Sequence, residues 1–279
     1  MDAAWEAGIT TFDTADAYGG GRSETWIGEW LRTKGPGVAE ELVLSTKTFN
    51  PMAAGADHGL APARVRRQLE SSLRRLGVER VAMYLAHAWD PEVPIAETAG
   101  VLEELRGEGK LGAYGLSNVD RAQLREAISA CSFGWVQNSY SLLDREAEAG
   151  VLPLCAEHGL GFTPFSPLAG GWLTGKYRRG KAPSPGSRMA MRPEPYEHLR
   201  DERIFDALER FEALAIEHGT TTAALSIAWL LADTRVSAVV VGPRRPAHLE
   251  PALAALDVAV DRAELVQLFD GAEPSPPDR

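Results

Sequence analysis

The chain has 279 residues, 44% hydrophobic and 24% charged, with a formal net charge of -10. That is the profile of a water-soluble globular protein, long enough for one large α/β barrel or two ordinary domains. So acidic a balance argues against general nucleic-acid binding, which needs a basic face for the phosphates. No apolar run approaches the length of a membrane span. The two cysteines, Cys131 and Cys155, have no CxxC spacing. They form no disulfide framework and read as reduced thiols of a cytoplasmic protein. Residues Met1 to Gly8 lack the basic-then-apolar pattern of a signal peptide.

In chain order, a helix is expected from Met1, then a strand over Ile9–Asp13 and a helix over Arg22–Thr33. A strand over Leu42–Lys47 leads to a helix over Pro62–Leu76. There Val65, Leu69, Leu73 and Leu76 repeat at helical spacing, and Pro62 suits the first turn. Next come a strand over Val81–His87, a helix over Ile95–Glu108, a strand over Gly112–Leu116 and a helix over Arg121–Ala130. The strand Val136–Tyr140, the helix Ala149–His158 and the strand Gly161–Phe165 follow. Tyr177–Asp201, rich in Pro, Gly, Arg and Ser, reads as a long loop. Helices over Ile204–His218 and Thr222–Ala232, a strand over Ala238–Val241 and a helix over Pro246–Leu256 complete the pattern. The Pro-rich stretch Ala272–Arg279 reads as a disordered tail.

Alternation of strand and helix predicts a parallel sheet covered by helices. A doubly wound dinucleotide fold should carry GxGxxG after its first strand, and Gly19, Gly20 and Gly21 lack that spacing. The prediction is therefore a (β/α)8 TIM-type barrel occupying residues 1–271, with 272–279 as tail. Asp13, Lys47, His87, Ser117–Asn118 and Gln137 all fall at or near the C-terminal ends of predicted strands. In a barrel those ends converge on the active face.

Asp13, Tyr18, Lys47 and His87 make a chemically coherent set. A free tyrosine, with a pKa of about 10, is a poor proton donor near neutrality. A neighbouring lysine ammonium would lower that pKa, a carboxylate would hold the lysine charged, and a histidine would orient a substrate oxygen. A structural Asp–Lys ion pair is the plainer alternative for two of the four. His58, His158, His198, His218 and His248 have no metal-ligand spacing and read as surface residues. Trp26, Trp89 and Trp172 could wall a substrate pocket or pack under a loop.

FDTADAYGGGRSE (Phe12–Glu24) resembles the FDTAxxYGxGxSE motif of the aldo-keto reductases, bacterial type. STK (Ser45–Lys47), YLAH (Tyr84–His87) followed by Asp90–Pro91, GKLGAYGLSN (Gly109–Asn118), QNSYSLL (Gln137–Leu143) and FSPLAGGWLTGKY (Phe165–Tyr177) resemble further segments of that family, in its order. The resemblance implies a small aldehyde or ketone substrate, NADPH as cofactor and hydride transfer without a metal. Tyr18 is then the proton donor, with Asp13, Lys47 and His87 catalytic beside it. Ser117, Asn118 and Gln137 would hold the nicotinamide carboxamide. Phe165 would stack on the ring, and Ser166, Pro167, Leu168, Gly170, Leu173 and Lys176 would embrace the pyrophosphate. GPRRPAHLEPAL (Gly242–Leu253) resembles the segment that binds the adenine ribose phosphate. It implicates Gly242, Arg244 and His248 and, through Arg244, favours NADPH over NADH. His248 and Ala252 stand where the family has Gln and Asn, with Arg245 adjacent to compensate.

Family chains carry a β-hairpin and a first barrel strand ahead of the helix that here opens at Met1. The expectation is thus an N-terminally shortened barrel with two exposed sheet edges, a monomer of low stability or a weak homodimer paired at the gap. The alternative function is an NADPH-binding regulatory or subunit-like module with little turnover. The intact set of Asp13, Tyr18, Lys47 and His87 favours the enzyme. A phosphate-site TIM-barrel enzyme of another kind is a third reading, and no Schiff-base or metal constellation supports it.

Overall fold

The computed structural model describes residues Met1–Gly271; the expected tail, 272–279, lies outside the described residues. The elements are α1 (Asp2–Glu6), β1 (Thr11–Asp13), α2 (Arg22–Lys34), α3 (Pro36–Glu41), β2 (Val43–Thr48), α4 (Pro62–Leu76), β3 (Val81–Ala86) and α5 (Ile95–Gly107). They continue with β4 (Leu111–Ser117), α6 (Arg121–Ala130), β5 (Trp135–Gln137), α7 (Glu146–Ala149), α8 (Val151–His158), β6 (Gly161–Phe162) and α9 (Arg188–Met191). The last helices are α10 (Glu202–Glu217), α11 (Thr222–Leu231), α12 (Glu250–Ala254) and α13 (Arg262–Phe269). No described helix is long and apolar enough to cross a membrane. The chain divides into two compact units, Met1–Asn138 with Gly150–Phe162, and Ser139–Ala149 with the segment from Thr163 onward.

The first unit holds the whole sheet. Six strands lie in the order β1-β2-β3-β4-β5-β6, every pair parallel. Strand order following chain order is the winding expected of a barrel, and it rules out the doubly wound arrangement. Among the described residues the sheet stops at six strands, short of the eight of a closed barrel and of the seven expected from sequence. β2 is buried on both faces beyond its first residue, as parallel strands covered by helices are. α4 forms as its sequence predicts: Pro62 occupies the first turn, Gly77 closes the helix at φ 71°, and Val65, Leu69, Leu73 and Leu76 face the core. α6 is set by a capping box between Asp120 and Gln123. Helix α2 approaches α4 so closely at Gly28 that a Cβ there would lie 2.2 Å from the Arg75 carbonyl oxygen.

The second unit is mainly helical. Its interior packs Phe211 of α10 against Phe269 of α13, ring centroids 5.5 Å apart, and Tyr140 against Trp229 of α11 at 5.1 Å. Arg262 donates to the Tyr140 hydroxyl at 2.8 Å and pairs with Asp233 at 3.0 Å, closing a satisfied polar network under that core.

Three expectations are corrected here. Ala238–Val241 forms no strand. It meets Pro164 through the Val240 N–H to Pro164 carbonyl bond, 3.0 Å, and Pro164 has no N–H to return. The same proline stops the strand expected over Gly161–Phe165 at Phe162. The helix expected over Pro246–Leu256 breaks into a 3-10 turn (Pro246–His248), α12 and a second 3-10 turn (Ala255–Asp257). Pro251 can sit only in a first helical turn, so the helix restarts there. The long loop carries α9 and a 3-10 turn over Glu194–Leu199, with the Met189 N–H donating to the Tyr177 hydroxyl at 3.2 Å. α13 was not foreseen. Its signal is Asp261, whose carboxylate accepts from the Ala263 and Glu264 amides, followed by Leu265 and Phe269 at helical spacing.

Candidate active site

The first unit gathers its polar residues at the C-terminal ends of the strands. Asp13 ends β1, Lys47 is the penultimate residue of β2, His87 follows β3, Ser117 ends β4 and Gln137 ends β5. Lys47 is fully buried and its ammonium lies 2.5 Å from Asp13 Oδ2, with a second bond of 2.9 Å to the Thr14 carbonyl. Gln137 Nε2 donates to the other Asp13 oxygen at 3.2 Å. The ammonium lies 5.3 Å from the centroid of the Tyr18 ring. Tyr18 is 44% exposed, and its hydroxyl is 3.5 Å from His87 Nε2. Asn118, held at φ 57° in the left-handed region that Asn tolerates, donates from Nδ2 to the His87 carbonyl at 2.8 Å. Asp13, Tyr18, Lys47, His87, Ser117, Asn118 and Gln137 therefore form one contiguous group.

The protonation states differ from the sequence expectation. Burial, and then the Asp13 carboxylate, push the Tyr18 phenol up to about 12. The expected lowering by Lys47 is not found. Lys47 and Asp13 form a pair of no net charge, so the phenol meets a dipole rather than a free cation and desolvation prevails. Burial lowers the Lys47 pKa, against the opposing pull of Asp13. His87 is pushed down to about 4 by burial and by the Lys47 charge. Near neutrality Tyr18 is a phenol and His87 a neutral imidazole. His87 Nδ1 is buried without a partner. The tautomer with its proton on Nε2 leaves only a bare lone pair there, and it points an N–H toward the tyrosine side.

Sequence reasoning missed the frame behind these residues. On either side of Lys47, the Thr46 hydroxyl donates to Glu24 at 2.6 Å and the Thr48 hydroxyl to Asp16 at 2.7 Å. Both carboxylates are fully buried. Arg75 pairs with Glu24 at 2.6 Å, and Arg64 donates to the Thr48 hydroxyl at 2.9 Å. Because side chains alternate along a strand, these two threonines anchor the face of β2 opposite Lys47. Arg64 also donates to the carbonyls of Gly59, Asn50 and Asp57. Asp90 accepts from the Leu60 amide at 2.6 Å and the Glu92 amide at 2.9 Å. The loops 50–60 and 89–94 are thereby tied to one another and to the core. The only sequence signal was four polar letters, Asp16, Glu24, Arg64 and Asp90, inside or beside apolar patterns.

The remaining predicted positions lie in the second unit. Phe165, Ser166 (φ 55°) and Pro167 lead into a 3-10 turn over Ala169–Thr174, where Ala169, Gly170 and Gly171 all have positive φ. A Cβ at Gly170 would lie 2.6 Å from the Tyr196 ring, so only glycine fits. Leu168 packs with Val241 and Ala252 around Ala224 and Ile227, and Leu173 is buried. Lys176 is exposed, with its ammonium 5.0 Å from the centroid of the Tyr177 ring. Gly242, Arg244 and His248 are exposed. His248 Nδ1 accepts from the Arg244 amide at 3.2 Å, while the Arg244 guanidinium donates to the Gly186 carbonyl at 3.1 Å.

A one-way parallel α/β sheet whose strand ends bring a Tyr–His couple against a buried Lys–Asp pair is the arrangement of an α/β oxidoreductase. The Aldo/keto reductase family model matches residues 1–271, and the chain belongs to that family. It is 34% identical to an uncharacterized oxidoreductase, YrpG, of Bacillus subtilis, over 99% of this chain and 86% of that one. It is 32% identical to the NADH-specific methylglyoxal reductase of Escherichia coli, over 97% of this chain and 85% of the relative. Among solved structures, the glycerol dehydrogenase of Gluconobacter oxydans is similar with a TM-score of 0.85 at 27% identity, covering 99% of this chain and 86% of that chain.

Proposed function

We propose that this protein reduces the carbonyl of a small aldehyde or ketone to an alcohol, using a nicotinamide dinucleotide and Tyr18 as proton donor. The observation that carries this reading is the Tyr18 hydroxyl lying 3.5 Å from His87 Nε2 above the Lys47–Asp13 pair. The polar side chains of Ser117, Asn118 and Gln137 beside this couple suit recognition of a carboxamide, which both donates and accepts hydrogen bonds. When bound, the dinucleotide supplies a hydride. The chain's own residues do the rest. The Tyr18 O–H and the His87 Nε2–H both aim donors at the substrate oxygen, which stabilises the negative charge growing there. Tyr18 then gives its proton to that oxygen, a strong base once it becomes an alkoxide, so a phenol near 12 still donates downhill.

We favour NADPH over NADH on the strength of Arg244, with Arg245 beside it. The Arg244 guanidinium is exposed, and its bond to Gly186 leaves further donors for a phosphate. That the Escherichia coli relative is NADH-specific makes this the point to measure. The alternative, a binding module with little turnover, draws no support from a site whose four candidate groups are all in place. In the test, Tyr18→Phe retains nucleotide binding and loses about 100-fold or more in turnover of a small aldehyde. Arg244→Ala weakens NADPH by about tenfold and NADH hardly at all. Near-native turnover in the first variant would remove Tyr18 from its role, and equal effects in the second would remove the NADPH preference.

A further inference from the structure

The second unit contains a cavity of about 420 Å³ that the reductase reading does not use. Trp172, Tyr177, Met189 and Phe205 line it, and the Trp172 ring lies tilted against those of Tyr177 and Phe205, with centroids 5.2 Å and 5.5 Å away. Lys181 and Arg200 line it as well. The neighbouring cations are already neutralised: Arg178 pairs with Glu212, and Arg179 with Glu202 and Asp206. Lys181 and Arg200 make no side-chain hydrogen bond or ion pair among the described residues, so two uncompensated positive charges stand here in a chain of net charge -10.

We propose that this cavity is a second ligand site, for a planar aromatic carboxylate. Its volume suits a small molecule. The aromatic walls suit a flat ring, and Lys181 and Arg200 suit a carboxylate. The predicted cofactor positions Phe165, Ser166, Pro167, Leu168, Gly170, Leu173, Lys176, Gly242, Arg244 and His248 lie in the same unit, but none of them lines this cavity.

The test is calorimetric titration of the full chain with 2-naphthoate, with and without saturating NADPH. Expected are one site per chain, retention of binding in the presence of NADPH, and about tenfold weaker binding by a Lys181→Ala/Arg200→Ala variant of unchanged melting temperature. The neutral 2-naphthalenemethanol binds more weakly than the acid. Absence of saturable heat up to about 1 mM probe, binding indifferent to the Lys181→Ala/Arg200→Ala variant, or displacement of the probe by NADPH would each overturn the proposal. Displacement would place the probe in the nucleotide site instead.

Discussion

Replacing Asp13 by Asn tests the site at its most strongly coupled point. The substitution keeps shape and a hydrogen-bonding oxygen but removes the charge 2.5 Å from the Lys47 ammonium, which has no exposure of its own. Breaking a buried pair by removing one partner costs about 3–5 kcal/mol, because the remaining charge is left without compensation. Asp13 keeps 16% side-chain exposure, so the lower end, about 3 kcal/mol, applies. In the native chain burial already lowers the Lys47 pKa and Asp13 opposes the fall. Without Asp13 it falls further. The sign follows from linkage. A lysine with a lowered folded-state pKa binds fewer protons folded than unfolded, so stability rises with pH across that window. The variant's deficit relative to the native chain is therefore full below its own Lys47 pKa. It shrinks as pH rises toward the native Lys47 value. Urea unfolding of both proteins at about pH 7 and about pH 9.5 would read this directly. A deficit of the same size at both pH values would show that Lys47 carries no buried charge held by Asp13. The account of the site as an ion pair beneath a phenol would then fail.

Asp16 should behave in the opposite sense. Burial raises its pKa to about 6, so the contribution of its protonated form is lost as pH rises from the unfolded value toward 6. Asp16→Asn is expected to gain about 3 kcal/mol relative to the native chain between about pH 4 and pH 7, and a pH-independent difference in denaturant midpoints would contradict this. Asp90→Ala removes the acceptor shared by the Leu60 and Glu92 amides. Leaving such groups unmet costs about 1–3 kcal/mol, and the loosened loops are expected to raise KM for a carbonyl substrate more than they lower kcat. Steady-state kinetics with unchanged KM would show that these loops do not shape the substrate pocket.

Much of the fold was legible because local and global signals agree. α4 and α6 appear with the predicted bounds, since Pro62, Gly77 and the Asp120–Gln123 box fix their ends through neighbours a few residues away. The strand-end positions of Asp13, Lys47, His87, Ser117 and Gln137 followed from the alternation pattern, because parallel winding sends every strand's C-terminus to the same side. Hydrogen bonding across the sheet is a different kind of property. Whether Ala238–Val241 pairs depends on what lies beside it, and what lies beside it is a proline. Protonation is of the same kind. The sequence supplied a tyrosine, a lysine and an aspartate, but the upward shift of Tyr18 comes from its desolvation and from an ammonium already neutralised at 2.5 Å. The threonines that anchor Lys47 from behind read as ordinary strand residues until Glu24 and Asp16 are folded against them. Residue types and their periodicities are encoded within a few positions of the chain. Burial, charge pairing and ladder partners arise between positions far apart in it, and these set the chemistry of the site.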